Sequence, residues 1–369
     1  MKIIIRTDAS QRIGSGHVMR CLTLADELKN HGNEVLFISR PLPGNMINLV
    51  EARGYGVITL SSVDEIQYLY NDMNTHESWL GVPWEQDAKE VQSVLHELGT
   101  VDWLIVDHYA LDARWEQAVG LIVGRVMVID DLADRPHVCD TLLDQNYYTQ
   151  MDKRYQQLVP AGCSQFLGPQ FALLRPEFTK IKQELRIRDG KIENILVFYG
   201  GIDHTNETTK VLRALESLNI SAINVDVIVG ISNPYKNEVM ELCSNNHNFH
   251  FHCQVTNMAE FMNKADLAFG AGGATTWERC FLGLPTVTTE IARNQSEVTR
   301  NVAKFGAVWN LGWYDQIGIE DIVRAHSKLD ANRQLLKRLE ERCLALMGDF
   351  GLGQETLVDH ILSRGLRKG

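Results

Sequence analysis

Short apolar runs rich in isoleucine and valine, most of them ending at a glycine or an aspartate, alternate along this chain with longer stretches of helical character. Ile3-Ile4-Ile5 lies between Lys2 and Arg6 and leads into Ile13-Gly14-Ser15-Gly16. Far downstream, Ile195-Leu196-Val197-Phe198 leads into Gly200-Gly201 in the same way. Further strands are predicted at Glu34 to Ser39, Trp103 to Asp107 and Val126 to Asp130, and then at Asn224 to Val229, Phe249 to His252, Leu267 to Phe269 and Thr286 to Thr289. Strands alternating with helices are the signature of a doubly wound parallel sheet, and here the series occurs twice. Between the two series, residues 168–191 are charged and carry Pro169, Pro176 and Asp189-Gly190, the composition of a linker. The pattern therefore predicts an α/β chain of two Rossmann-like domains facing a central cleft. Residues 1–167 form the first domain and 192–369 the second, with the last helix packing back on the first.

A length of 369 residues at 44% hydrophobic content supports two such cores. The 47 acidic against 36 basic residues, a net charge of −11, give no footprint for a phosphate-backbone polymer or an anionic membrane. The expected partner is a small molecule, with no nucleic acid and no membrane. The apolar run after Met1 is too short for a signal peptide or a membrane span, which points to the cytoplasm. The seven scattered cysteines form no C-x-x-C pair and are expected to be reduced. His247, His250, His252 and Cys253 would suggest zinc, but Phe249, Phe251 and Val255 alternate with His250, His252 and Gln254, the period of a half-exposed strand. No metal and no cofactor are expected.

Two glycine turns could carry chemistry. In the first, Gly14 and Gly16 permit close backbone approach at a helix N-terminus, where a phosphate or sugar oxygen could sit. It is no dinucleotide fingerprint, because the third glycine would fall on Met19, and it lacks the lysine and hydroxyl residue of a P-loop. His17 follows in the first turn of that helix, where open sheets place their ligands, and is the candidate general base; a capping or packing histidine is the plainer alternative. In the second turn, Gly272, Gly273 and Thr275 could hold a diphosphate, and Glu278, one helical turn on, both hydroxyls of a ribose. Gly200 and Gly201 form a third element, and the amides of Asn294 and Gln295 suit polar recognition. After the strands of the first domain stand Asp107-His108-Tyr109 and Asp130-Asp131. Each could line the sugar side of the cleft, although a lone aspartate there is ordinarily a helix cap; Tyr109 is the better ligand candidate, offering both a hydroxyl and a flat apolar face.

In this order, the Ile-Gly-x-Gly-His-Val-Met-Arg segment ending at Arg20, Asp107-His108-Tyr109, Asp130-Asp131-Leu132, Gly200-Gly201-x-Asp203, Gly272-Gly273 with Trp277-Glu278-Arg279, and Asn294-Gln295 resemble one family across most of the chain. It is that of the UDP-2,4-diacetamido-2,4,6-trideoxy-β-L-altropyranose hydrolases of pseudaminic acid biosynthesis. Leu143-Asp144-Gln145-Asn146 and the segment from Leu167 to Phe178, which includes Arg175, are further matches. The resemblance implies a GT-B glycosyltransferase-like fold, related in architecture to the enzyme that adds GlcNAc in peptidoglycan synthesis. It implies His17 as base, Gly272, Gly273, Glu278 and Asn294 around UDP, and Tyr109 at the acetamido sugar. It is weakest at Gly348-Asp349-Phe350-Gly351-Leu352-Gly353-Gln354, where the family has Asp-Gly-x-Gly. The implied reaction is metal-independent attack of water at the anomeric carbon with inversion. A glycosyltransferase with the same donor, a UDP-sugar epimerase and a non-catalytic nucleotide-sugar sensor are the rival readings.

Overall fold

The computed structural model describes residues 1–64, 76–218, 220–348 and 356–365. Of the poorly matching segment Gly348 to Gln354, residues 349–354 lie outside the described residues. The chain forms two compact units: Met1–Asn146, Gln150–Leu173 and the helix Leu357–Ser363 in the first, Tyr147–Thr149 and residues 174–348 in the second. Of the stretch 168–191, residues 168–173 belong to the first unit, and the helix Pro176–Gln183 belongs to the second.

The first unit is built on a seven-stranded sheet in the order β3-β2-β1-β4-β5-β6-β7, every pair parallel. Its strands are β1 (Lys2–Thr7), β2 (Glu34–Ser39), β3 (Gly56–Thr59), β4 (Trp103–Asp107), β5 (Arg125–Ile129), β6 (Thr141–Asp144) and β7 (Ser164–Leu167). A strand's side chains alternate between faces, so a run that is apolar throughout must be covered on both. Ile3 and Ile5 of β1 join Trp103, Ile105, Met127 and Ile129 under the helices Gly16–Asn30 and Leu357–Ser363. Ile4, with Leu104, Val106, Val126 and Val128, faces the opposite layer, where Trp84–Leu98 contributes Ala88, Val91 and Leu95 and Ala113–Gly120 contributes Trp115 and Val119.

The second unit has a six-stranded parallel sheet in the order β10-β9-β8-β11-β12-β13. These are β8 (Asn194–Phe198), β9 (Asn224–Val229), β10 (Phe249–Cys253), β11 (Leu267–Ala271), β12 (Thr286–Glu290) and β13 (Trp309–Trp313). One face, led by Ile195, Val197, Val225, Val227, Leu267 and Phe269, packs on Val211, Leu212 and Leu215 of the helix Glu207–Glu216 and on Ile322 and Leu329 of Ile319–Asp330.

Both sheets reverse their strand order beside the first strand, between β1 and β4 in one unit and between β8 and β11 in the other. In open α/β sheets the ligand site lies at the carboxyl ends of the strands at such a reversal. The two reversals thus single out the loops after β1 and β4 and those after β8 and β11. In β10, Phe249 is buried, His250 is exposed and His252 Nε2 meets Asp226 Oδ1 at 2.9 Å, as expected of a half-exposed strand. Among the described residues, no group of three or more His, Cys, Asp or Glu is placed to hold a metal ion, and no helix is long and apolar enough to cross a membrane.

Candidate functional site

At the first reversal, β1 and β4 pair so that Thr7 lies opposite Asp107. The chain leaves β1 through a tight loop in which Ser10 Oγ accepts from the amides of Arg12 and Ile13, Gly14 N donates back to the Ser10 carbonyl at 2.9 Å, and Gly14 has φ of +80°. The helix Gly16–Asn30 begins directly afterwards, and its N-cap, Ser15, makes no side-chain capping bond. The first-turn amides are therefore not capped from within. A Cβ on Gly16 would meet no atom within 4 Å; open space lies in front of the loop.

His17, in that first turn, is 7% exposed and turns back toward the end of β4. Its Nδ1 lies 2.6 Å from Asp107 Oδ1. Arg20, three residues further on the same helical face, grips the same carboxylate through Nε to Oδ2 at 2.6 Å and Nη2 to Oδ1 at 2.7 Å, and its Nη1 reaches Asp131 Oδ2 at 2.6 Å. Cys21 Sγ adds a fourth donor to Asp107 at 3.4 Å. Burial alone would raise the carboxyl of Asp107, but Arg20 and His17 outweigh it and hold the group well below the ordinary carboxylate range. An ionised carboxylate only accepts, so the proton of a neutral imidazole sits on Nδ1 and the lone pair on Nε2. Among the described residues, Nε2 has no hydrogen-bond partner.

Tyr109 stands edge-on to the imidazole, with ring centroids 4.5 Å apart. Expected to meet a sugar through its hydroxyl or its flat face, it donates the hydroxyl proton to Asp131 Oδ2 at 2.5 Å, and the residue is 7% exposed. It is the ring of Tyr109 that meets its surroundings: Trp79 stacks on it at 5.7 Å and His76 packs edge-on at 5.3 Å. Beneath lies a buried charged layer. Asp8 takes Arg6 Nη1 at 2.6 Å, Asp87 takes Arg6, Arg40 and Trp115 Nε1, and His108 Nε2 lies 3.4 Å from Asp8 Oδ2. This layer fixes the loops after β1 and β4 from below.

At the second reversal, the turn after β11 is tightly constrained. A Cβ on Gly272 would overlap Thr299 Oγ1, and Gly273, with φ of +132°, would place one 3.0 Å from the Gln295 side-chain amide. Only glycine satisfies both the conformation and the space. The buried Arg279 folds back under the turn, donating to the Ala271 carbonyl at 2.7 Å and to Thr275 Oγ1 at 3.3 Å. Glu278 and Arg175, 103 residues apart in sequence, meet: Arg175 Nε and Nη2 approach Glu278 Oε1 at 3.2 and 3.1 Å. Glu278 Oε2 is buried without a hydrogen-bond partner among the described residues. Burial raises the Glu278 carboxyl, and Arg175 only partly offsets this. Gln295 Oε1 is likewise buried and unpartnered, whereas Asn294, expected at a buried edge, is exposed in the first turn of Arg293–Phe305. After β8, Gly200 has φ of +89°, and neither it nor Gly201 faces another atom within 4 Å of a Cβ. Asp203 caps the next helix through the amides of Glu207 and Thr208 at 3.0 and 2.9 Å.

The structure thus brings together His17 with Tyr109 beside Gly14 and Gly16 in the first unit, and in the second Gly272, Gly273 and Gln295 around one turn and Arg175 with Glu278. Asp107 was expected to line the sugar side, with a helix cap as the plainer alternative; it is buried as the partner of His17. Asp131, also expected on the sugar side, bonds to Arg20 and Tyr109, and Arg20, His76 and Trp79 were given no role. The three-residue spacing of His17 and Arg20 on one helix was the only local signal for any of them.

No family model matches the chain. It is 27% identical over 303 residues to an uncharacterized protein of Methanocaldococcus jannaschii, covering 78% of this chain and 55% of that one, so it spans about half that relative's length. It is 26% identical over 306 residues to the UDP-2,4-diacetamido-2,4,6-trideoxy-beta-L-altropyranose hydrolase of Campylobacter jejuni, covering 83% of this chain and 97% of that one. Among solved structures, MurG of Acinetobacter baumannii superposes with a TM-score of 0.64 at 15% identity, covering 98% of each chain. The fold, α/β with two parallel sheets, is that of the GT-B glycosyltransferases.

Proposed function

We propose that this chain hydrolyses UDP-2,4-diacetamido-2,4,6-trideoxy-β-L-altropyranose, or a closely related UDP-linked amino sugar, in pseudaminic acid biosynthesis. The observation that carries the reading is the imidazole of His17, held through Nδ1 by an ionised, buried Asp107 while Nε2 has no partner among the described residues. That is the arrangement of a general base whose tautomer is fixed by the group behind it. In the reaction, a water oxygen bonds to the anomeric carbon as the bond from that carbon to the phosphate oxygen breaks. The water proton goes to His17 Nε2, and the electron pair leaves with UDP. Attack from the face opposite the leaving group inverts the anomeric configuration. A nucleoside diphosphate leaves well without a second protein acid, unlike the leaving group of an ordinary glycosidase.

Unit two supplies the nucleotide site in this reading. The amides of the Gly272-Gly273 turn and Thr275 take the diphosphate, Glu278 Oε2 accepts from the ribose, Arg175 holds Glu278 in place, and Gln295 with Asn294 and the open turn at Gly200-Gly201 complete the polar surround. Gly14 and Gly16 leave room at the first helix for the sugar, and Tyr109 acts through its ring. Supporting water over a sugar acceptor is the likeness to the Campylobacter hydrolase, which extends over nearly the whole of that protein; the fold alone is shared with transferases.

The test is incubation with the UDP-sugar and no acceptor, alongside His17→Asn. Stoichiometric UDP release by the wild type, lowered about a hundredfold to ten-thousandfold in the variant with UDP binding retained, supports the reading. No release from the wild type points to a transferase or a sensor. Near-normal turnover in a folded His17→Asn variant removes His17 from its role.

A further inference from the structure

Asp107 has a second occupant that the orientation of His17 does not require. A carboxylate buried beside an imidazole favours the imidazolium, because the charged ring gains a partner that a neutral ring lacks. A base needs the opposite: the ring must be unprotonated when water arrives. Arg20 spans this conflict, with two bonds to the oxygens of Asp107 at 2.6 and 2.7 Å and a third to Asp131 at 2.6 Å. Its Nη2 lies 3.4 Å from His17 Nδ1, a cation set directly beside the ring.

We propose that Arg20 is a positioning residue that keeps His17 competent as a base: it neutralises the carboxylate that orients the imidazole, so that Asp107 fixes the ring without holding it protonated. The inference rests on the assignment of His17 as general base.

The groups facing His17 come from five elements. Arg20 and Cys21 lie on its own helix, Asp107 ends β4, and Tyr109 and His108 follow β4. Asp131 follows β5, and His76 packs on Tyr109 from the short helical turn His76–Leu80. The thiol of Cys21 and the hydroxyl of Tyr109 are both raised by burial, so both are neutral near pH 7. Burial lowers His76 and His108, leaving those rings neutral as well. Arg135 lies further out, 6.0 Å from the Tyr109 ring and paired with Asp130 and Asp134; of the described residues, Arg20 is the cation that bonds to both Asp107 and Asp131. Its position at the centre of the two carboxylates is what makes it the control on the charge of the ring.

The experiment follows the ring proton of His17 by NMR across pH in wild type, Arg20→Met and Asp131→Asn, the resonance being identified by its loss in His17→Asn. Removing Arg20 takes the guanidinium off the carboxylate of Asp107 beside the ring, so the titration of His17 moves upward by about one pH unit or more. Removing the charge of Asp131 takes the trio from one net negative charge to balance between Arg20 and Asp107, so the titration moves downward. Arg20→Lys, which restores the charge without the two-pronged grip, returns it toward wild type. In the hydrolysis assay, the acid limb of the rate profile for Arg20→Met moves up by the same amount, a loss of about tenfold in rate for each unit on that limb. An unmoved His17 titration in folded Arg20→Met overturns the proposal. If that variant does not fold, an unmoved or upward shift in Asp131→Asn overturns it equally. The NMR readout needs no substrate, so a wild type that fails to hydrolyse the UDP-sugar sinks the functional reading while the titrations still decide the role of Arg20.

Discussion

Replacing Asp107 by asparagine changes one atom of the side chain and, on this account, reverses the base. The carboxylate has four donors on it, two of them from the guanidinium of Arg20. An asparagine has one acceptor oxygen, and the fixed charge of Arg20 claims it, so the amide NH2 turns toward His17 Nδ1. Nδ1 must then accept, which moves the ring proton to Nε2, the atom that has to take a proton from water. The loss should therefore approach that of removing the base itself, about a hundredfold to ten-thousandfold in kcat, or about 3–5 kcal/mol of barrier. KM should change little, because Asp107 is fully buried and presents no atom to a ligand. Stability should fall by about 3 kcal/mol at most, since breaking a buried ion pair costs about 3–5 kcal/mol and Arg20 keeps Asp131 as a partner. The assay is steady-state UDP release, with thermal denaturation of the same sample as a control on folding. A folded Asp107→Asn variant with kcat within a few fold of wild type would refute the argument that Asp107 sets the tautomer.

Two further outcomes are expected. Glu278→Ala removes the buried, unpartnered acceptor Oε2 and leaves Arg175 its ion pair with Glu177; a ribose contact made in ground and transition states alike raises KM more than it lowers kcat, and about 1.5–3 kcal/mol for a charge-assisted bond makes that one to two decades in UDP affinity by calorimetry. For His137, burial disfavours the cation, but Asp130 and Glu116 outweigh it and raise the ring to about 9. Its folded value lies above the unfolded one, so its stabilisation, about 3 kcal/mol, is complete below about pH 6.5 and is lost as pH rises toward 9. Urea denaturation across that window should show the decline in wild type, and His137→Gln should flatten it.

The strands that could be read from sequence are those with uninterrupted β-branched runs, such as Ile3-Ile4-Ile5 and Val227-Ile228-Val229, because burial on both faces leaves no polar position within the run to confuse the pattern. The short outer strands were missed. Thr141–Asp144 and Ser164–Leu167 have four residues each, and Trp309–Trp313 contains Asn310 and a Gly312 with φ of +111°. The glycine turns were legible because their conformational demand is local. Asp107 was not: an aspartate at the end of a strand looks like a cap until the pairing of β1 with β4 sets it opposite Thr7, under the helix that carries His17. Arg175 was found only through the resemblance, because its contact with Glu278 bridges 103 residues.

The central claim is that water attacks the anomeric carbon and UDP leaves whole. It is tested most directly by running the reaction in oxygen-18 water and analysing both products by mass spectrometry, with sampling fast enough to precede exchange at the anomeric hydroxyl of the free sugar. The account predicts one heavy oxygen in the sugar and none in UDP. Heavy oxygen in the UDP phosphate would mean attack at phosphorus, and would contradict it.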